Sequence, residues 1–288
     1  MALANELIAA VEAIGEACEI IFAEDGSTEY LSENASLAQL PGLRYEAFAK
    51  NVGRATIRNR LAGMASGSHL LFLDCDVSVP DANFLKRYGQ YLDFEVVCGG
   101  HKYRSRAERQ FSLHHKYGVK RESLSLRDRE RSPYHSFKTS NFMVQKAIFE
   151  KVKFDESLTT YGHEDTLFGY ALRQMEVPLK HIENRVIHLA LEPNEVFLSK
   201  SKQALANALL LVKSQKIPQE EIRAVASYYR LKENAAGRAL LEWLMRSENH
   251  LQSMLKGPNP RMRSFDFLKL AWLRQLDSGK DLPDADPK

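Results

Sequence analysis

The chain has 288 residues, of which 44% are hydrophobic and 27% charged, with a formal net charge of +3. That length can bury a proper core, as one large α/β domain or as a domain of about 200 residues with an appended module. The balance excludes a disordered chain, no apolar run approaches the ~20 residues a membrane-crossing helix needs, and so small a net charge gives no reason to expect nucleic acid as a partner.

Leu3, Leu7, Val11 and Ile14 recur at helical spacing, and the short β-rich run CEIIF follows, ending in Glu24-Asp25-Gly26-Ser27. The opening carries Glu6, Glu12 and Glu16 and no basic residue, unlike a secretory signal, so the cytosol is the expected compartment. Residues 51 to 65 predict a helix, and HLLFLD (69 to 74) predicts an apolar strand closed by Cys75-Asp76 and Pro80. Phe84, Leu85, Tyr88 and Leu92 share a helical face, and EVVCGG (95 to 100) reads as a strand entering a glycine turn. Cys18, Cys75 and Cys98 sit singly in such settings and read as buried thiols, neither a disulfide framework nor a zinc cluster.

Between His101 and Lys138 basic residues are frequent and apolar periodicity is weak, which predicts a long functional loop or lid. Its cations, among them Arg106, Lys116 and Lys120, are interleaved with Tyr103, Phe111, Tyr117 and Tyr134 and diluted by acids. Most read as a solvated, salt-bridged surface, with a diphosphate or an anionic lipid-linked acceptor as the ligand alternative. Order resumes with SNFMV, the short helix KAIFEKV, and an amphipathic helix from about His163 that carries Leu167, Phe168, Ala171, Leu172 and Met175. LKHI and RVIHL predict two short strands, after which the chain is almost purely helical. Three segments result: an α/β domain over 1–192, a helical extension over 193–275 and a disordered tail over 276–288. In the extension, Phe265, Leu268 and Trp272 near Arg263, Lys269 and Arg274 suit either packing on the protein itself or peripheral contact with the inner face of an anionic membrane.

Ligands of open α/β sheets bind beyond the carboxyl ends of the strands, so acids placed there are informative. Asp25, the pair Asp74 and Asp76, and the helix-opening pair Glu164 and Asp165 are the candidates. An Asp-x-Asp after an apolar strand can reach one hard divalent cation, Mg²⁺ or Mn²⁺, that also accepts diphosphate oxygens, although alone it reads equally well as a solvated turn. Glu164 and Asp165 alone would simply favour a first helical turn, and His188 alone would be a hydrogen-bonded core histidine.

Four stretches change that balance: EIIFAEDGST, NVGRATIRNRLAGMASGSHLLFLDCDVSVPD, NFMVQKAIFEKVKFDESLTTYGHEDTLFGYAL and VIHL. In order and spacing over residues 18 to 189 they resemble the inverting glycosyltransferases of family two. The resemblance implies a GT-A fold, a Rossmann-like and mostly parallel mixed sheet flanked by helices. It implies a nucleoside-binding Asp25, nucleotide contacts from Arg58, Asn59 and Asp74, and a metal, Mn²⁺ or Mg²⁺, held by Asp74, Asp76 and His188. The Gly-His-Glu-Asp segment is similar to the Gly-Gly-Glu-Asp segment of the galactosyltransferase and chondroitin polymerase branch, which makes Asp165 the base and Glu164 an acceptor-binding residue. The implied reaction moves a sugar from a nucleoside diphosphate donor, UDP-linked by the same branch, to a saccharide or lipid-linked saccharide in polysaccharide or glycoconjugate synthesis.

Members of this family open with a β-strand and a Pro-x-Tyr-Asn-like turn, whereas this sequence opens in the following helix. The expectation is a start codon recorded too far downstream, since a lost central strand leaves buried edges unpaired. Two other functions compete: an inactive nucleotide-sugar or saccharide-binding protein, and a phosphatase in which the first Asp of FLDCDVS is phosphorylated.

Overall fold

A computed structural model describes residues 1–279. The elements run α1 (Ala2–Ile14), β1 (Ile20–Asp25), α2 (Leu31–Ala35), β2 (Leu43–Phe48), α3 (Arg54–Met64), β3 (His69–Leu73), β4 (Val77–Ser78), α4 (Phe84–Gly89), β5 (Val96–Cys98) and β6 (His101–Tyr103). Then come α5 (Ser112–Tyr117), α6 (Leu126–Arg131), β7 (Asn141–Gln145), α7 (Lys146–Val152), α8 (Glu164–Gln174), β8 (Leu179–His181) and β9 (Val186–His188). Five helices follow, α9 (Asn194–Lys213), α10 (Arg223–Lys232), α11 (Ala235–Arg246), α12 (Glu248–Leu255) and α13 (Met262–Asp277). The chain divides into a unit of 1–103, 123–159 and 171–190, and a unit of 104–122, 160–170 and 191 onward.

All the described strands lie in the first unit. Parallel pairing joins β1 to β2, β5 to β8 and β6 to β9, while antiparallel pairing joins β3 and β5 to β7 and β4 to β9. They form three sheets of two, four and three strands among the described residues, and β1 does not pair with β3. The apolar run of β3 alternates over its sheet: Leu70 and Phe72 are buried, and Phe72 stacks on Phe142 of β7 and Phe149 of α7 at centroid distances of 4.9 and 5.1 Å. Helix α1 buries Leu3, Ala4, Leu7 and Ala10, and Leu3 and Leu7 join Val77, Phe84, Tyr88, Val97 and Val186 in one core. Fully burying such side chains stabilises by about 1.5–3 kcal/mol each, so this cluster anchors the short strand β4 beside the acids of the 74–76 turn.

A polar network ties α6 to the ends of β5 and β8 in this unit. Arg129 of α6, 3% exposed, donates to the carbonyls of Cys98 and Ile182 and lies 3.3 Å from His181 Nδ1. His181 Nε2 meets the Pro133 carbonyl at 3.0 Å, and burial, more than the nearby Arg129 charge, lowers the His181 pKa to about 4. An unfolded histidine titrates near 6.5, so below that pH the unfolded chain takes up a proton that the folded chain refuses. The stabilisation is full above pH 6.5 and lost as pH falls toward 4, roughly 3 kcal/mol in all. Denaturant titrations across that range should show the loss, and His181→Gln should flatten the slope relative to the unsubstituted chain.

The segment 101–138 is not the expected long loop. It holds β6, a 3-10 turn at Arg109–Phe111, α5, a π-helical turn at Gly118–Glu122 and α6, and it is shared between the two units. Of the cysteines read as buried, Cys98 is, but Cys18 and Cys75 are exposed.

In the second unit α9, α10, α11 and α12 pack around α13. Phe265, Leu268 and Trp272 are each at most 1% exposed, so the stripe that could have met a membrane packs on the protein's own helices. Lys269 lies over the rings of Tyr117 and Phe265 at 4.7 and 4.4 Å, and burial lowers its pKa to about 8. No described helix is long and apolar enough to cross a membrane. Helix α13 runs to Asp277, into the segment read as a tail, whose residues 280–288 lie outside the described ones.

Candidate functional site

Asp25 ends β1, and its carboxylate accepts hydrogen bonds from Val52 N and Gly53 N at 2.8 and 3.0 Å. It thereby fixes the turn that opens α3, where Gly53 has a φ of +86°. One turn into α3, the largely buried Arg58 reaches the Asp74 carboxylate beyond β3 at 2.8 Å and lies over the Phe154 ring at 5.6 Å. Asn59 turns the other way. Its amide donates to the Phe154 carbonyl and to Glu156 and accepts from Phe154 N, at 2.8–2.9 Å. In this way it anchors the 154–156 turn.

The pairing of β4 with β9 sets Val77 opposite His188, and the Leu189 amide donates to the Asp76 carbonyl at 2.8 Å. His188 Nε2 consequently stands 3.6 Å from Asp76 Oδ2, and its ring stacks on Tyr103 at 5.0 Å with a 12° interplanar angle. Tyr103 was visible in the sequence only as one aromatic among the basic residues; its partnership depends on the β6–β9 register, which sets it opposite His188. Burial raises the Asp76 pKa, the opposing pull of His188 and the added push of Asp74 being smaller.

The expected metal residues Asp74 and Asp76 lie in the turn between β3 and β4, and His188 ends β9. Asp74 is tied to Arg58, and no group of three or more His, Cys, Asp or Glu among the described residues is arranged to hold a metal ion. Asp76 and His188 do stand together, and Asp76 Oδ1 is buried without a hydrogen-bond partner. A Mg²⁺-like ion bound through one or two protein ligands, with substrate phosphates and water completing the shell, suits that donor pair; a closed protein cage does not.

Glu164 and Asp165 belong to the second unit and open α8. Glu164 is buried, and Asp165 Oδ1 accepts from Thr166 N at 2.7 Å. The chain enters this helix through Gly162 and His163, with φ of +100° and +69°. A Cβ on Gly162 would stand 2.6 Å from Ala204 Cβ of α9, so only glycine allows that approach. Sequence reasoning passed over Asn207 of α9, which secures the entry: it accepts from Thr160 Oγ1 at 2.8 Å and donates toward the carbonyls of Thr160, Tyr161 and Gly162 at 3.1–3.2 Å. Leaving those groups unmatched in Asn207→Ala should cost about 2 kcal/mol in chemical denaturation. Amides 160–166 should then exchange faster, and protection equal to that of the unsubstituted chain would contradict the clamp.

The family model described as "Glycosyl transferase family 2" matches residues 3–153. No curated protein matches the chain. Among solved structures, the crystal structure of S. aureus TarS 1–349 is similar at 15% identity, covering 98% of this chain and 90% of that one with a TM-score of 0.49. The same protein in complex with UDP-GlcNAc is similar at 15% identity, covering 92% and 85% with a TM-score of 0.45.

Proposed function

This chain belongs to glycosyl transferase family 2, whose GT-A fold it adopts, and from that premise we propose that it transfers a sugar, with inversion, from a UDP-linked or other nucleoside diphosphate donor to a hydroxyl of a saccharide or lipid-linked saccharide. The observation that carries this reading is the assembly at the turn between β3 and β4 in the first unit: Arg58 on Asp74, and Asp76 beside His188. A guanidinium and a cation-binding pair are the groups a diphosphate needs.

Asp25 shapes the turn before α3 and offers its carboxylate edge to the nucleoside, while Arg58 holds Asp74 in place and brings positive charge to the diphosphate. Asp76 and His188 are the residues that would hold Mn²⁺ or Mg²⁺, and a bound ion would supply charge neutralisation for the departing diphosphate. Asp165 takes the proton of the acceptor hydroxyl during attack; an alcohol is a poor nucleophile until a carboxylate accepts that proton. The positive end of α8 favours the ionised form that a base requires. Glu164 orients the acceptor.

The test is a panel of nucleotide sugars with Mn²⁺, scoring released nucleoside diphosphate with and without saccharide acceptors. Acceptor-dependent release from one donor is the expected result, and it should cease when EDTA removes the metal. Nucleotide binding without turnover against any acceptor would instead support a binding protein.

A further inference from the structure

The second unit contains an open cleft of about 390 Å³ lined by Arg106, His115, Lys116, Lys120 and Asn259. None of its lining residues is an Asp or Glu, and no carboxylate among the described residues pairs with Arg106, Lys116 or Lys120. Nearby cations are treated differently: Arg121 pairs with Asp266 at 2.8 Å, and Lys256 with Glu195 at 2.7 Å. Like charges about one turn apart, such as Lys116 and Lys120, repel, so an unneutralised group of this kind costs stability unless an anion joins it.

Two of these groups are already held in place. Lys116 Nζ donates to Asn259 Oδ1, between Pro258 and Pro260, and His115 Nε2 meets the Arg104 carbonyl at 2.7 Å. The volume lies within the range of small-ligand sites, about 300–1,000 Å³, and is sufficient for a phosphorylated sugar or headgroup. Lysine ammonium and arginine guanidinium groups are the usual partners of phosphate oxygens. None of these residues has a part in the proposed transfer chemistry.

We propose that this cleft binds phosphate groups, carried by a soluble phosphorylated saccharide or by a lipid headgroup. Calorimetric titration of the full chain with tripolyphosphate should show saturable binding that weakens as salt rises. Exchanging Arg106→Glu and Lys120→Glu together should weaken it at least 10-fold, with the thermal midpoint of the ligand-free chain not lowered, since the repulsion among these cations is relieved. The Arg106→Gln, Lys120→Gln pair, which removes charge without reversing it, should weaken it in the same direction and decides the matter if the Glu pair does not fold. Co-sedimentation with phosphatidylcholine vesicles, with and without phosphatidylglycerol, separates the sources. Anionic-vesicle binding lost in the same variants assigns a headgroup, and tripolyphosphate binding without vesicle binding assigns a soluble ligand. Both ligands bound equally by all variants, or neither bound at all, would overturn the proposal.

Discussion

Asn in place of Asp165 is expected to slow sugar transfer by about 10²- to 10⁴-fold, the share a positioned general base supplies. The exchange preserves shape: Oδ1 can still accept from Thr166 N, 2.7 Å away in the parent chain, so α8 should begin as before. What the amide cannot do is take the proton of the attacking hydroxyl. The loss should fall on kcat, with nucleotide affinity retained, because the proposed nucleotide contacts come from Asp25, Arg58 and Asp74 in other elements. Transfer kinetics beside nucleotide titration check both halves, and undiminished turnover would remove Asp165 from the chemistry.

Gly26→Ala is expected to be the most damaging small substitution near the proposed nucleotide contacts. Gly26 has a φ of +66°, and a Cβ there would collide with Asn51 N and stand 2.5 Å from the Lys50 carbonyl carbon. Both are backbone atoms of the turn that Asp25 grips through Val52 N and Gly53 N, so relief requires that turn to withdraw and those hydrogen bonds to break. Gly15 is the control, since its φ is +67° with nothing within 4 Å of a built Cβ. Alanine at Gly15 should cost only the left-handed strain, about 1 kcal/mol, whereas at Gly26 the loss should approach about 4 kcal/mol, with donor affinity falling as well. Urea unfolding of the two variants measures the difference, and equal costs would mean that the close approach is absent.

The run HLLFLD followed by Cys75-Asp76 was readable as a strand ending in acids because four apolar residues in a row precede them; β3 covers His69–Leu73 and buries Leu70 and Phe72 on one face. Strand β2, LRYEAF, has no such run. Among the described residues it pairs with β1 alone and has no buried residue, and its Tyr45 hydroxyl bonds Glu24; desolvation, and after it this carboxylate, raises the tyrosine pKa to about 12. The segment around α5 read as a loop for a related reason. Leu113 is fully buried, yet its amide is satisfied by Asn194 Oδ1, 81 residues further on, and no local periodicity encodes such a partner.

The sequence by itself determined the acidic strand ends, the helix that opens at Glu164, and enough ordered motif to imply the family. Those features are local: apolar runs, turn residues and spacing along the chain carry them. Only the tertiary structure decided the partners: Asp74 taken by Arg58, Asp76 set beside His188 through the β4–β9 register, Asn59 committed to Phe154, and Asn207 clamping the approach to α8. Each depends on which side chain the folded backbone brings within about 3–4 Å, and hydrogen bonds and ion pairs are decided at that range and not by distance along the chain.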